Sequence, residues 1–218
     1  MKLLVVSFAL AVLPMWGAHQ ETMLPPITLY THFQQDPPAL VVEAMRTEVQ
    51  TIMAPMGLKF QWMDLAASDG RQVSVELAVV EFKGRCDVDN LLTHDSNPGP
   101  LGWTHISEGV ILPFANVDCS AVRSFIPREL RDTRADDRDS AFGRALGRIL
   151  AHELYHIFAN TTRHGSEGVG REFYSARDLL SSNFQFQARE SMALLNGKAH
   201  AALANAQAAD IDDSEHRN

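Results

Sequence analysis

Hydrophobic and polar positions alternate along the first ordered stretch of this chain and then change period. Ile27 to Phe33 reads Ile-Thr-Leu-Tyr-Thr-His-Phe, an alternating run rich in β-branched and aromatic residues, and predicts a strand. Asp36-Pro37-Pro38 then opens a helix, with Asp36 as its cap and proline in its first turn. Leu40, Val41, Ala44, Met45, Val49, Ile52 and Met53 fall on one face of it, and Pro55 and Gly57 end it. Leu58 to Met63 and Gln72 to Phe82 read as two further strands, followed by a loop rich in Asp, Asn, Pro and Gly from Lys83 to Pro100. Two short apolar segments, Leu101 to Ile106 and Gly109 to Asn116, flank a turn at Ser107-Glu108-Gly109, and Val117 to Ile126 is mixed. Arg128 to Asp139 is a charge run, read as a solvated loop or exposed helical turn.

The helical period returns at Ser140 and holds to Asn160. Phe142, Leu146, Ile149, Leu150, Leu154, Ile157 and Phe158 form its apolar stripe. Gly143, Gly147 and Ala151 make a row of small residues four apart, where a neighbouring element can approach closely. Glycine inside a helix costs roughly 0.5–1 kcal/mol against alanine, so tight packing is expected to compensate. Asn160 suits a left-handed terminator. After Asp178 the pattern is helical again, with Phe184, Phe186, Met192, Leu194 and Leu195 as apolar positions, and an alanine-rich stretch leads to a polar, acidic end expected to fray. No internal repeat is visible. The pattern predicts an α+β domain with a mixed, twisted sheet, an N-terminal helix and a later helix carrying chemistry.

Composition refines this picture in three ways. The 218 residues, 45% hydrophobic, suffice for one well-buried domain, here placed at 19–196 with a tail at 197–218. Met1-Lys2, an apolar run from Leu3 to Leu13 interrupted only by Ser7, and small residues at Gly17-Ala18 read as a secretory signal peptide over 1–18, which implies a secreted or periplasmic protein. The run is too short to span a bilayer comfortably. Export makes a disulfide between Cys86 and Cys119, the only two cysteines, the expected pairing. That bond would close a loop of about thirty residues, worth about 3 kcal/mol in the chain-entropy model. A cysteine left free as a metal ligand is the rival reading. The net charge of −8, or −9 after Lys2 leaves with the leader, argues against a nucleic-acid or anionic-membrane surface.

The chemistry sits on the Ser140–Asn160 helix. His152-Glu153-Leu154-Tyr155-His156 spells H-E-x-x-H, and His164 follows eight residues after the second histidine. Residues four apart on a helix lie about 40° apart in azimuth, so both imidazoles point the same way. Zn²⁺ accepts imidazole nitrogen at about 2.0–2.1 Å, and catalytic sites usually have three protein ligands and one open position. His152 and His156 supply two ligands, and Glu153 is placed as general base. For the third, His164 is the expectation, since a helix ending near Ala159 or Asn160 lets the chain turn back. Glu167, Glu172 and Glu190 are the competing oxygen ligands, and a glutamate there would make a different subclass of zinc hydrolase.

A strand, a helix, further strands, an H-E-x-x-H helix and a nearby third histidine together resemble the metzincin clan of zinc metalloproteases. The clan signature is H-E-x-x-H-x-x-G-x-x-H, followed by a methionine-containing turn beneath the metal. The resemblance implies His152, His156 and His164 as zinc ligands and Glu153 as general base. Ala159 holds the glycine position, His164 comes two residues late, and Tyr155 stands where many relatives carry glycine. Gly168-Val169-Gly170-Arg171 occupies the place where short secreted bacterial relatives read Gly-x-Met-Arg, and Met192, the only later methionine, lies far downstream. The match spans about Ile27 to Asp178, and only Ala151 to Arg171 is motif-grade.

The resulting expectation is a secreted, monomeric zinc endopeptidase acting on protein or peptide, with the strand region from Leu101 to Asn116 holding the substrate as an added strand. Tyr174 reads as a packed aromatic, with a hydrogen bond to the developing oxyanion as the alternative. Two other readings stay open: a catalytically silent exported domain that keeps the fold and the metal, and a zinc hydrolase with a glutamate third ligand.

Overall fold

The computed structural model describes residues 24–89, 97–126, 130 and 134–215. The expected signal peptide over 1–18 lies outside the described residues, as do the middle of the loop before Pro100 and much of the charge run before Ala135. Five strands, β1 (Ile27–Phe33), β2 (Phe60–Asp64), β3 (Leu77–Lys83), β4 (Gly102–Ser107) and β5 (Val110–Asp118), form one sheet in the order β2-β1-β3-β5-β4. All neighbours are parallel except β4, which runs antiparallel to β5 at the sheet edge. Glu108 and Gly109, both at positive φ, make the two-residue turn between them, the left-handed geometry that suits strand twist.

Helix α1 (Ala39–Met53) crosses from β1 to β2 and packs along the long helix α3 (Ala135–Phe158). The row of small residues on α3 is where they meet. A Cβ on Gly143 would lie 2.4 Å from the Val41 carbonyl oxygen, and one on Gly147 2.7 Å from that of Met45. The glycines therefore let backbone touch backbone, which offsets their helical cost. Ile27, Leu29, Val80, Phe82, Met45, Ile52, Leu146 and Leu150 fill the space between sheet and helices.

Several boundaries differ from the sequence pattern, each for a local reason. Asp36 does not cap α1: Pro38 is the N-cap with no side-chain bond, because residues before proline are held extended and the helix starts only at Ala39. Leu40 on that helix is exposed. β3 begins at Leu77, not Gln72, since Leu77 pairs with Thr28 and β1 offers little earlier backbone. β2 likewise begins at Phe60, opposite Ile27. α3 starts at Ala135, five residues before the expected start at Ser140, with Asp136 and Asp137 favourably placed in its positive first turn. It ends at Phe158, and Asn160 takes the left-handed conformation at φ 48°.

Beyond Asp178 the helix is broken. α4 (Ala176–Leu180) is held by a capping box between Ser175 and Asp178. α5 (Ala188–Leu195) and α6 (Lys198–Glu215) follow, with no helix from Ser181 to Gln187. Arg148 donates to the carbonyls of Asp178, Leu179 and Ser181, which removes acceptors that a continuing helix needs. Met192 and Leu195 face solvent, whereas Leu194, Ala199 and Leu203 are buried in the core. α6 stays helical through Glu215, across most of the acidic end expected to fray.

Cys86 and Cys119 form a disulfide between the end of β3 and the first residue of α2 (Cys119–Phe125). Both are buried, and the pairing of Lys83 with Asp118 already brings their backbones together. Replacing both with alanine is expected to lower unfolding stability by about 3 kcal/mol, read from urea unfolding of the oxidised protein and the variant. An unchanged midpoint would show that the bond constrains nothing. Among the described residues no helix is long and apolar enough to cross a membrane.

Candidate metal centre

His152 and His156 lie on the last turns of α3, at the edge of its apolar stripe, and are 6% and 8% exposed. The left-handed Asn160 turns the chain back, and His164 on the following loop reaches the pair. The rings of His152 and His164 stack with centroids 5.1 Å apart, and His156 stands edge-on to both. One ligand atom from each histidine can be chosen so that none of the three pairs exceeds 4.8 Å.

The donor chemistry fits a cation. His152 Nδ1 lies 2.7 Å from the Val169 carbonyl oxygen, and His156 Nδ1 lies 2.7 Å from that of Thr161. A carbonyl only accepts, so each Nδ1 carries the proton and each Nε2 presents a lone pair. The two Nε2 atoms are 3.0 Å apart. That contact is not a hydrogen bond when both Nδ1 atoms carry the protons; two Nε2 lone pairs this close could be shared by a positive ion. Burial, then His156, pushes His152 down to about 3, and burial also lowers His156, which favours the neutral form of both rings. Three imidazoles gathered at one point could hold a borderline-soft divalent ion.

Glu153 lines the same cleft as the three histidines. Burial pushes its carboxyl up to about 7, opposed by the Thr104 hydroxyl, which donates to Oε2 at 2.8 Å. Thr104 belongs to β4, and Gly102 lets that strand come close: a Cβ there would lie 2.7 Å from Ile149 Cγ2 and 3.0 Å from Glu153 Oε1. A cavity of about 620 Å³ opens beside these groups, walled by Leu101, Trp103, Ile111, Phe125, Ile149 and Phe173.

The competing carboxylates fall elsewhere. Glu167 is exposed and accepts from Gln187, Glu172 is an exposed residue on the cavity wall, and Glu190 is buried against Gly165 and Gly170. None of them joins the ligand group of the three histidines. Tyr174 packs its ring on Phe184 and His152, and its hydroxyl lies 2.8 Å from His152 Nδ1 while donating to the Val169 carbonyl. It therefore braces His152 in addition to packing. Thr104 and the Val169 and Thr161 carbonyls are not legible as site groups in the sequence, since a carbonyl has no residue identity; Tyr174 is legible there only as a packed aromatic or an oxyanion donor, not as a partner of His152. Only the expected strand at Leu101–Ile106 pointed toward Thr104. No protein-family model and no curated protein matches this sequence.

Proposed function

We propose that the chain is an exported zinc-dependent endopeptidase with a metzincin-like fold. The carrying observation is the convergence of two Nε2 lone pairs and the His164 ring beside a buried carboxyl held by Thr104. The sheet order, with β4 alone antiparallel, and the position of the motif helix α3 behind that edge support the fold reading. The disulfide supports export.

His152, His156 and His164 would hold the ion, which supplies Lewis acidity toward a substrate carbonyl and acidifies water. β4 is the edge strand on the side of the cleft, so its outer backbone can pair with an extended peptide, and Gly102 keeps that strand within reach of Glu153. Glu153 takes the proton of the attacking water and passes it to the leaving nitrogen, a role suited to a carboxyl raised toward neutrality. Gly170, buried at the place where the resembled family carries methionine, favours a second reading, a domain that holds metal without cleaving anything. The Thr104–Glu153 bond speaks against it, since a scaffold has no use for an oriented base.

Elemental analysis and digestion of a casein-type substrate test the proposal together. About one zinc per chain is expected from three ligands and an open position, with cleavage lost to a chelator and restored by Zn²⁺. His164→Ala should weaken zinc binding by at least the roughly 10–100-fold that loss of a supporting partner costs. Metal without cleavage would select the silent domain; no metal at all would remove both readings.

A further inference from the structure

We propose that Glu190 is a positioning residue for the third metal ligand, a wedge on which the loop carrying His164 and Val169 is set; the inference rests on the metal reading above. Glu190 stands in the first turn of α5 and is 1% exposed. Its Oε2 has no hydrogen-bond partner among the described residues. An unpaired buried polar atom costs about 1–3 kcal/mol, so the carboxylate does not stabilise the fold through its bonds, and what remains is the space the side chain fills.

Two glycines show what the carboxylate does. A Cβ on Gly165 would lie 2.5 Å from Glu190 Oε1, and one on Gly170 2.7 Å from Glu190 Cγ. Neither glycine has a positive φ, so backbone conformation does not require them. Space does. Gly165 follows His164 directly, Gly170 follows Val169 directly, and the two glycines are joined by a hydrogen bond from the Gly165 amide to the Gly170 carbonyl at 2.6 Å. The Glu190 side chain thus lies flat against both ends of the clasp that sets His164 and the carbonyl accepting from His152. α3 fixes the loop's start through the Thr161 carbonyl, and the Ser175–Asp178 box fixes the chain beyond it, with Arg171 bonded to Asp178. Glu190 supports the stretch between.

Shape carries the effect, so Glu190→Gln should behave as wild type and Glu190→Ala should not. In the metal-free protein, exchange of the Gly165 amide is expected to rise about tenfold in Glu190→Ala, with β3 amides unchanged. In competition with a chromophoric chelator, Glu190→Ala should weaken Zn²⁺ binding by about 10–100-fold, the usual cost of losing a ligand's support. In a His164→Ala background the same substitution should change zinc affinity little, because the ligand it positions is gone. Wild-type exchange and affinity in Glu190→Ala, or an equal loss with and without His164, overturns the proposal. Should Glu190→Ala fail to fold, Gly165→Ala reads the clasp from its other side: weaker zinc binding, partly regained with Glu190→Asp, supports the wedge, and undiminished binding overturns it. A wild-type chain that takes no zinc defeats the metal reading, while the amide exchange still decides whether Glu190 sets the loop.

Discussion

Glu153→Gln is expected to lower kcat/KM on a peptide substrate by about 10²–10⁴-fold, the range that a positioned proton carrier contributes, while zinc content stays at the wild-type level. In free energy that is about 2.7–5.4 kcal/mol of barrier. Gln has nearly the shape of Glu and still accepts from the Thr104 hydroxyl, so the contact to β4 and the packing against Ile149 survive. What disappears is the basic oxygen. The carboxyl that burial has raised to about 7 exchanges a proton at neutral pH at little cost; an amide does not. The His152 and His156 Nδ1 protons are held by the Val169 and Thr161 carbonyls, which the substitution leaves alone. Loss of cleavage with metal retained is therefore the signature of the base. A variant that cleaves at the wild-type rate with equal zinc would show that Glu153 carries no proton, and the site would need another group in that role.

Much of the fold follows from short-range pattern, and the exceptions are long-range contacts. β1 can be read from the alternation of Ile27 to Phe33 and the end of α3 from Asn160, because strand period and left-handed tolerance are properties of the residues themselves. The small-residue row on α3 announced a close neighbour without saying which, and only the packing shows that it is α1. The break after Leu180 was invisible because it is imposed by an arginine some thirty residues earlier. The site divides in the same way. H-E-x-x-H is a local spacing on one helix, and His164 is close behind it. Thr104 is brought in by strand order, and the carbonyl partners of the histidines by a loop whose course depends on Gly165, Gly170 and Glu190.

Arg148→Ala is expected to cost about 3–5 kcal/mol of unfolding free energy, the penalty for breaking a buried ion pair from one side. Arg148 is 2% exposed, on the same row of α3 as His152 and His156. Its Nε donates to Glu48 on α1 at 2.6 Å, its two terminal nitrogens reach the carbonyls of Asp178, Leu179 and Ser181, and its guanidinium lies 4.9 Å from the Phe184 ring centre. Truncation strands Glu48, which is itself largely buried, and leaves the carbonyls without their donor. Arg148→Lys should recover little, because an ammonium cannot match a planar fork that serves a carboxylate and several carbonyls at once. Glu48→Gln should cost far less, about 1 kcal/mol, since the amide oxygen still accepts from Nε. Urea unfolding of the three variants decides between charge and hydrogen bonding: equal losses in Glu48→Gln and Arg148→Ala would make the ion pair the whole effect. A loss under about 1 kcal/mol in Arg148→Ala would place it among ordinary surface contacts. Arg148, His152 and His156 stand four apart on one row of α3, and the segment that Arg148 holds leads back through α4 to Tyr174, whose hydroxyl meets His152. The same substitution is thus expected to loosen the brace on His152, so under the proposed metal reading zinc affinity should fall along with stability even in the fraction that remains folded.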